Sequence, residues 1–313
     1  MPNFLQLLPI TGLTPLWHKL VQSRIPAAHL EQRNGIVYVR DTDVQIDNIV
    51  EWASSEATYW ISRLGKSGAK LREQKTHSFT MAIGETVVMV DGPDAAFIAW
   101  EVLCGSVYKT TLPWNKAIVI DVGMNLGFAS LAFLRESWCQ HVYGFEPSEK
   151  TFLRARKNLS LNPKYSARCT MMNFGLGAET SRLVLHAAKG QSGNATMVPQ
   201  VVRSQVSDNV REEVEIRRAD KVLEDLYARI GPDTPIVLKM DCEGAESLIF
   251  AVLSDELIRR PDVVLLEWHS ANILKEVLNR LASNGFVSFI EDPTAEVGIL
   301  RAVKVEYATA SRA

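Results

Sequence analysis

The chain has little cysteine and no paired cysteine motif. Its four cysteines, Cys104, Cys139, Cys169 and Cys242, are widely spaced and form no CxxC pair. That spacing argues against a structural zinc site and a disulfide framework and fits a reducing compartment. Excess charge of one sign is missing as well: 34 Lys+Arg against 36 Asp+Glu leave a formal charge of -2. A dedicated nucleic-acid binder, which needs a basic surface, is therefore not expected. No apolar run approaches the roughly 18–20 residues that span a bilayer. The stretch from Met1 to Ile25 has no basic n-region and is interrupted by Pro9 and Pro15, so it does not read as a signal peptide. There is no internal repeat and no low-complexity tract. What remains is a chain of 313 residues with 47% apolar and 22% charged side chains, the composition of an ordinary soluble globular protein. The cytoplasm is its default location and a small molecule its expected partner, with neither nucleic acid nor membrane involved.

The first hundred residues are mixed. Ile36 to Arg40 alternates like a strand, Asp47 to Leu64 has helical spacing, Phe79 to Val90 reads as a hairpin turning at Gly84, and Ala95 to Leu103 as a helix closed by Gly105. Trp52, Tyr59 and Trp60 fit a core better than a stacking platform. From Lys116 the pattern becomes regular. Strands are expected at Ala117–Ile120, His141–Phe145, Cys169–Phe174, Pro235–Met240 and Val263–Leu266. Helices are expected at Phe128–Arg135, Ser148–Leu161 and Ala271–Leu281, with another containing Leu248, Ala251 and Val252 at i, i+3, i+4. Arg182–His186 reads as an added hairpin strand, and Phe286–Ile290 with Val297–Val305 as a terminal antiparallel pair. Strands alternating with helices imply stacked βαβ units and a mostly parallel, Rossmann-like α/β sheet. Residues 1–112 form an N-terminal extension of mixed α/β character and residues 113–313 the main domain.

The loop Asp121-Val-Gly-Met-Asn-Leu-Gly127 follows the first buried strand and opens a helix. Its glycines permit positive φ and close backbone approach to a ligand, and the helix start offers free N–H groups. The spacing is GxxxG, and no GxGxxG occurs in the loop. An acid at the strand end, Asp121, is unhelpful beside a pyrophosphate but suits a cationic ammonium group. Glu146 ends the second strand, where a carboxylate can accept both hydroxyls of a ribose. Both features lie at the carboxyl ends of strands, where ligands sit in open α/β sheets.

Asp241, Glu243 and Glu246 crowd the end of a central strand and the helix that follows. Carboxylates this close need something positive or protonated among them. They can face a substrate hydroxyl, hold a cationic ligand, or cap the helix, and Glu246 can pair with Lys239. A divalent metal at Asp241 and Glu243 is an alternative that is not favoured. His269 closes the fifth strand after Glu267, and a histidine near neutral pKa suits a general base. His269 and Asp241 are the two candidates for the base, and the sequence does not separate them. Gly190 to Thr196, with Asn194, is a small polar loop suited to contacting a substrate, and Tyr108 is a further candidate for the pocket.

These stretches resemble the FkbM-type methyltransferases. The resemblance is carried by Val119-Ile-Asp-Val-Gly-Met-Asn-Leu-Gly127, Gly144-Phe-Glu-Pro147, Asn158-Leu-Ser-Leu-Asn162, Leu238-Lys-Met-Asp-Cys-Glu-Gly-Ala-Glu246 and Leu266-Glu-Trp-His269, in that order. It extends over roughly residues 80 to 290, and the first 75 or so lie outside it. It implies a class I methyltransferase fold, S-adenosylmethionine as donor, and commonly a hydroxyl oxygen as acceptor. It further implies that Asp121, Gly123, Asn125 and Gly127 cradle the methionine part, that Glu146 binds the ribose, and that Phe174 and Gly175 flank the adenine. Met124 and Cys242 depart from the usual residues without removing a polar group.

The expectation is therefore an S-adenosylmethionine-dependent methyltransferase acting on a hydroxyl of a small molecule, such as a sugar or natural product. A carboxylate or nitrogen acceptor is the alternative, and a non-catalytic binding module is more remote. A nicotinamide oxidoreductase is disfavoured by the glycine spacing and the acid before it. Oligomeric state is left open by the sequence, with a homodimer among the options.

Overall fold

The computed structural model describes residues 25–188, 209–290, 292 and 294–310. The polar loop Gly190–Thr196, with Asn194, and the segment from Met1 to Arg24 lie outside them. Backbone packing divides the chain into two compact units, Met1–Ser106 and Val107–Ala313.

The first unit contains a hairpin of β1 (Leu30–Arg33) and β2 (Ile36–Val39), helix α1 (Ser55–Lys66), a meander of β3 (Lys70–Lys75), β4 (Ser78–Ile83) and β5 (Thr86–Val90), and helix α2 (Pro93–Ala99). Helix α1 begins where Ser54 accepts the backbone N–H of Ala57, an N-cap interaction. That cap explains why the helical spacing read from Asp47 onward breaks into a 3₁₀ turn at Asp47–Ile49 before α1 starts. Trp60 packs against Tyr59, Phe97 and Trp100 with ring centroids 4.8–4.9 Å apart. The cluster is not a closed core, since Tyr59 is 41% exposed.

The second unit is built on a seven-stranded sheet. Its strands are β6 (Ala117–Val122), β7 (Cys139–Phe145), β8 (Cys169–Met172), β12 (Ile236–Met240), β13 (Val263–Trp268), β14 (Phe286–Ile290) and β15 (Gly298–Lys304), in the order β14-β15-β13-β12-β6-β7-β8. The five strands from β13 to β8 are mutually parallel. β15 runs antiparallel to both neighbours, so the reversed strand is inserted beside β13 and β14 forms the edge. Helices α3 (Phe128–Arg135), α4 (Glu149–Ser160), α5 (Pro163–Ser166), α6 (Ala219–Ile230), α7 (Glu246–Val252), α8 (Asp255–Arg259), α9 (Ala271–Ser283) and α10 (Val305–Ala310) accompany these strands. β12 is buried at every position, as a central parallel strand covered on both faces should be. The mixed α/β architecture with a mostly parallel sheet agrees with the Rossmann-like fold read from the alternation of strands and helices.

A second, three-stranded sheet joins β9 (Gly175–Gly177), β10 (Ser181–Ala188) and β11 (Asn209–Arg218), with β11 central. Two sequence expectations need correction. Helix α7 buries Glu246, Ile249 and Phe250, whereas Leu248 is 48% exposed. Both faces of this short helix carry apolar residues, so the spacing of Leu248, Ala251 and Val252 does not mark the buried one. Asp241 is also not its N-cap: the helix starts at Glu246, and Ala245 occupies that position. Among the described residues no helix is long and apolar enough to cross a membrane.

Candidate active site

Chain order from β6 to β7 proceeds to one side of the sheet, whereas β12 and β13 lie on the other. The strand order therefore switches between β6 and β12, the place where open α/β sheets form a ligand crevice at their carboxyl ends. A cleft open to solvent lies there. Its walls come from the loops after β6 (Gly123, Asn125), β7 (Glu146, Pro147) and β12 (Asp241, Cys242, Glu243), together with Gly175, Leu176, Leu185 and Ile216 of the smaller sheet.

The loop after β6 is shaped by close packing of backbones. Gly123 has φ +78°, and a Cβ there would lie 1.7 Å from the carbonyl oxygen of Asp241. Only glycine lets the β6 and β12 ends approach this closely. Asn125 follows with φ +49° and donates its backbone N–H to Glu146 Oε2 at 2.9 Å. Its own Oδ1 is closed off from solvent and has no hydrogen-bond partner among the described residues. Met124, one of the unusual residues, packs its sulfur against Gly144, where a Cβ would lie 2.5 Å away.

Glu146 is held at both oxygens, since Ser148 N–H donates to Oε1 at 2.9 Å. Burial pushes its carboxyl up to about 7, against the backbone N–H groups of Ser148 and Asn125, which favour the charged form. Next to it the cleft turns apolar. Leu176, Leu185 and Ile216 are each less than 5% exposed, and a Cβ on Gly175 would meet Ile216 and Pro147 at 2.7 and 3.2 Å. Phe174 does not line this wall. It packs edge-on against Phe145, and the Arg217 guanidinium lies 3.8 Å from its ring centroid.

Asp121, expected at the ligand, lies behind the cleft wall instead. Its side chain is fully buried, with Oδ1 3.0 Å from Lys239 Nζ and Oδ2 accepting from Ser130 Oγ at 2.6 Å. Lys239 also donates to the Gly123 carbonyl at 2.6 Å. Burial alone would lower the Lys239 ammonium pKa, but the Asp121 and Asp241 carboxylates outweigh it and hold the group charged. The expected partnership of Lys239 with Glu246 is thus replaced by one with Asp121. Gly127 opens α3 with φ +77° against Leu159 and likewise does not line the cleft.

At the other end of the cleft the acidic residues gather around one imidazole. His269 Nε2 lies 3.4 Å from Glu243 Oε2, 3.9 Å from Asp241 Oδ1 and 4.0 Å from Glu267 Oε1, and Nδ1 lies 3.3 Å from Glu246 Oε1. Burial pulls the imidazole pKa down, but Glu246, then Glu243 and Asp241, push it up to about 9, above the near-neutral value expected of a free base. Burial and the neighbouring Asp241 raise Glu243 to about 8. Helix capping falls to Glu246, whose Oε1 accepts the N–H groups of Cys242 (2.7 Å) and Gly244 (3.3 Å). Glu243 itself sits in the turn with φ +51°. Tyr108 is buried and donates its hydroxyl to Asp241 Oδ2 at 3.0 Å and Glu267 Oε2 at 3.3 Å. Glu267 was not singled out from sequence, because as a lone acid on an apolar strand it carries no spacing signal.

Residues 121–288, more than half of the chain, match the family model described as the methyltransferase FkbM domain. No curated protein sequence matches the chain. Among solved structures, the methyltransferase FkbM from Methylobacillus flagellatus KT is similar at 16% identity and a TM-score of 0.42. That alignment covers 61% of this chain and 44% of the Methylobacillus protein, so the chain spans less than half of its length. The precorrin-6y C5,15-methyltransferase from Geobacter metallireducens GS-15 is similar at 15% identity over 65% of this chain and 89% of its own, with a TM-score of 0.37. The METTL16 methyltransferase domain is similar at 12% identity over 94% and 92%, with a TM-score of 0.40. The extent of the family match decides the assignment: the chain belongs to the FkbM methyltransferase domain family.

Proposed function

We propose that this chain is an S-adenosylmethionine-dependent O-methyltransferase acting on a hydroxyl of a small molecule. The family implies S-adenosylmethionine as methyl donor. The observation that carries the reading is the make-up of the cleft: an apolar wall of Leu176, Leu185 and Ile216, the Glu146 carboxylate, and the carboxylates of Asp241 and Glu243. These surfaces suit a flat base, a ribose diol and a cationic donor. No lysine or arginine is among the described residues lining the cleft, which disfavours a pyrophosphate-bearing dinucleotide.

When bound, S-adenosylmethionine supplies an electrophilic methyl group on its sulfonium. The chain's own contribution is positioning and charge. Glu146, held by two backbone N–H groups, accepts the ribose hydroxyls, and the loop of Gly123 and Asn125, which lines the cleft, receives the ammonium end. Gly175 and Pro147, with the apolar wall beside them, line the part of the cleft that suits the adenine. Asp241, which lines the cleft where His269 does not, brings the acidic cluster to the acceptor oxygen. As the oxygen takes the methyl, its proton passes to this cluster. Orienting the two reactants supplies most of the rate enhancement, on the order of 7–11 kcal/mol in ideal cases, and a positioned base adds about 10²–10⁴-fold. A hydroxyl is favoured over a carboxylate acceptor because the acidic cluster repels an anion.

The test is turnover of S-adenosylmethionine to S-adenosylhomocysteine with a panel of hydroxylated, carboxylated and amine acceptors. Acceptor-dependent turnover with hydroxyl compounds, reduced in Asp241→Asn by far more than S-adenosylhomocysteine affinity is, supports the reading. Turnover only with amines or carboxylates would replace the acceptor class.

A further inference from the structure

The residues beyond the methionine end of the cleft are more ordered than an acidic cluster alone requires. The Tyr108 hydroxyl takes one oxygen of each of two carboxylates, Asp241 Oδ2 and Glu267 Oε2. The remaining oxygens, Asp241 Oδ1 and Glu267 Oε1, turn towards the same atom, His269 Nε2, at 3.9 and 4.0 Å. These distances are too long for hydrogen bonds. They match donor atoms that share one ion, which stand about 3–4 Å apart when each bond is about 2.0–2.2 Å. One ligand atom from each of the three residues lies within 4.8 Å of the others. The His269 side chain is only 8% exposed, and its Nδ1 has no well-formed hydrogen bond to a described residue. Behind the ring the Glu246 carboxylate, fully buried, stands 3.3 Å from Nδ1, where it would fix the tautomer that presents the Nε2 lone pair, and Glu243 Oε2, 3.4 Å from Nε2, is the contact the ion would replace.

We propose that Asp241, Glu267 and His269 form a binding site for a divalent first-row cation of the manganese or zinc class. Two carboxylate oxygens and one imidazole nitrogen suit such an ion better than magnesium or calcium, which favour all-oxygen sets. Glu246 behind the histidine and Tyr108 behind both carboxylates are the outer partners that metal ligands characteristically have. The carboxylates of Asp241, Glu243, Glu246 and Glu267 all lie within 4.0 Å of the His269 ring nitrogens, and Lys239 is 3.7 Å from Asp241. A cation here stands beside the acceptor end of the cleft, where it would hold the acceptor hydroxyl and lower its pKa. Only this role rests on the methyltransferase reading; binding of the ion does not.

The experiment titrates the chelator-treated full chain with Mn²⁺ alone, following the free ion by electron paramagnetic resonance, with Zn²⁺ as competitor. S-adenosylhomocysteine binding is measured separately in the presence of chelator. The expected result is one saturable Mn²⁺ site per chain, displaced by Zn²⁺. Glu267→Gln should weaken it by roughly 100-fold, and Tyr108→Phe, which keeps the three ligands, by about 10–100-fold. A thermal melt of each variant guards against misfolding. No saturable Mn²⁺ binding to the wild type, or wild-type affinity in folded Glu267→Gln, would overturn the site. If S-adenosylhomocysteine binds and Mn²⁺ does not, the cation proposal alone fails. If S-adenosylhomocysteine does not bind, the donor reading fails whatever the ion does.

Discussion

Lys239 Nζ lies 3.0 Å from Asp121 Oδ1, and the two side chains are 2% and 0% exposed. A strand-end acid that invites a ligand role is thus the counter-ion of a buried lysine, and the lysine in turn ties the β12 strand to the Gly123 carbonyl. Breaking such a pair leaves a charge buried without its partner, at a cost of about 3–5 kcal/mol. Asp121→Asn should lower stability by that order in denaturant unfolding. Lys239→Met added to it should restore part of the loss. Wild-type stability in Asp121→Asn would show that the pair is not formed.

Gly123 and Gly231 separate two penalties. Both have positive φ, +78° and +87°, but a Cβ at Gly231 meets nothing within 4 Å while one at Gly123 meets the Asp241 carbonyl at 1.7 Å. Gly231→Ala should cost only the backbone term, about 1–2 kcal/mol. Gly123→Ala should cost several times more and abolish binding of S-adenosylhomocysteine. Equal thermal shifts for the two variants would contradict the close approach of the β6 and β12 loops.

Glu146 gives donor binding a pH dependence. Its carboxyl, raised by burial to about 7, must be ionised to accept both ribose hydroxyls. Lys239 and Asp121 also face it, with opposite effects on the charged form. S-adenosylhomocysteine affinity should be flat above pH 7 and fall below it, approaching about tenfold per pH unit. The stability contribution has the opposite trend. Between about 4.5 and 7 the folded chain keeps a proton that the unfolded chain has released, so stability from this group declines as pH rises through that window. Calorimetry on Glu146→Gln should show both slopes removed.

Glu246 Oε1 accepts two N–H groups of the β12–α7 turn. Glu246→Ala leaves both without an acceptor, each worth about 1–3 kcal/mol when buried. Glu246→Gln retains a carbonyl oxygen there and should lose less. If chemical denaturation ranks the two variants the other way, the cap is not what holds the turn.

What could be read from the sequence follows from what is local. The β6 strand and the glycine loop are contiguous and Glu146 comes directly after the very next strand, so their place at the strand ends could be read from spacing. The apolar wall did not show itself. β11 reads as the charged run Arg211-Glu-Glu-Val-Glu-Ile-Arg-Arg218, and only Val214 and Ile216 mark its buried face. It pairs with β9 and β10, so its role depends on distant partners. Helix α6, which follows directly, was missed with it. The relation of Asp121 to Lys239 was also hidden, because parallel pairing of β6 with β12 sets Lys239 opposite Asp121 across more than a hundred residues of chain. The convergence on His269 likewise needed the ends of β12 and β13 to be placed side by side.

The central claim is that the switch-point cleft binds S-adenosylmethionine. Calorimetric titration of the purified chain with S-adenosylhomocysteine, with NADH alongside and Glu146→Ala as control, tests it most directly. The account predicts saturable binding of S-adenosylhomocysteine, none of NADH, and at least tenfold weaker binding in a folded Glu146→Ala variant. Binding of NADH in its place, or unchanged S-adenosylhomocysteine affinity in that variant, would contradict it.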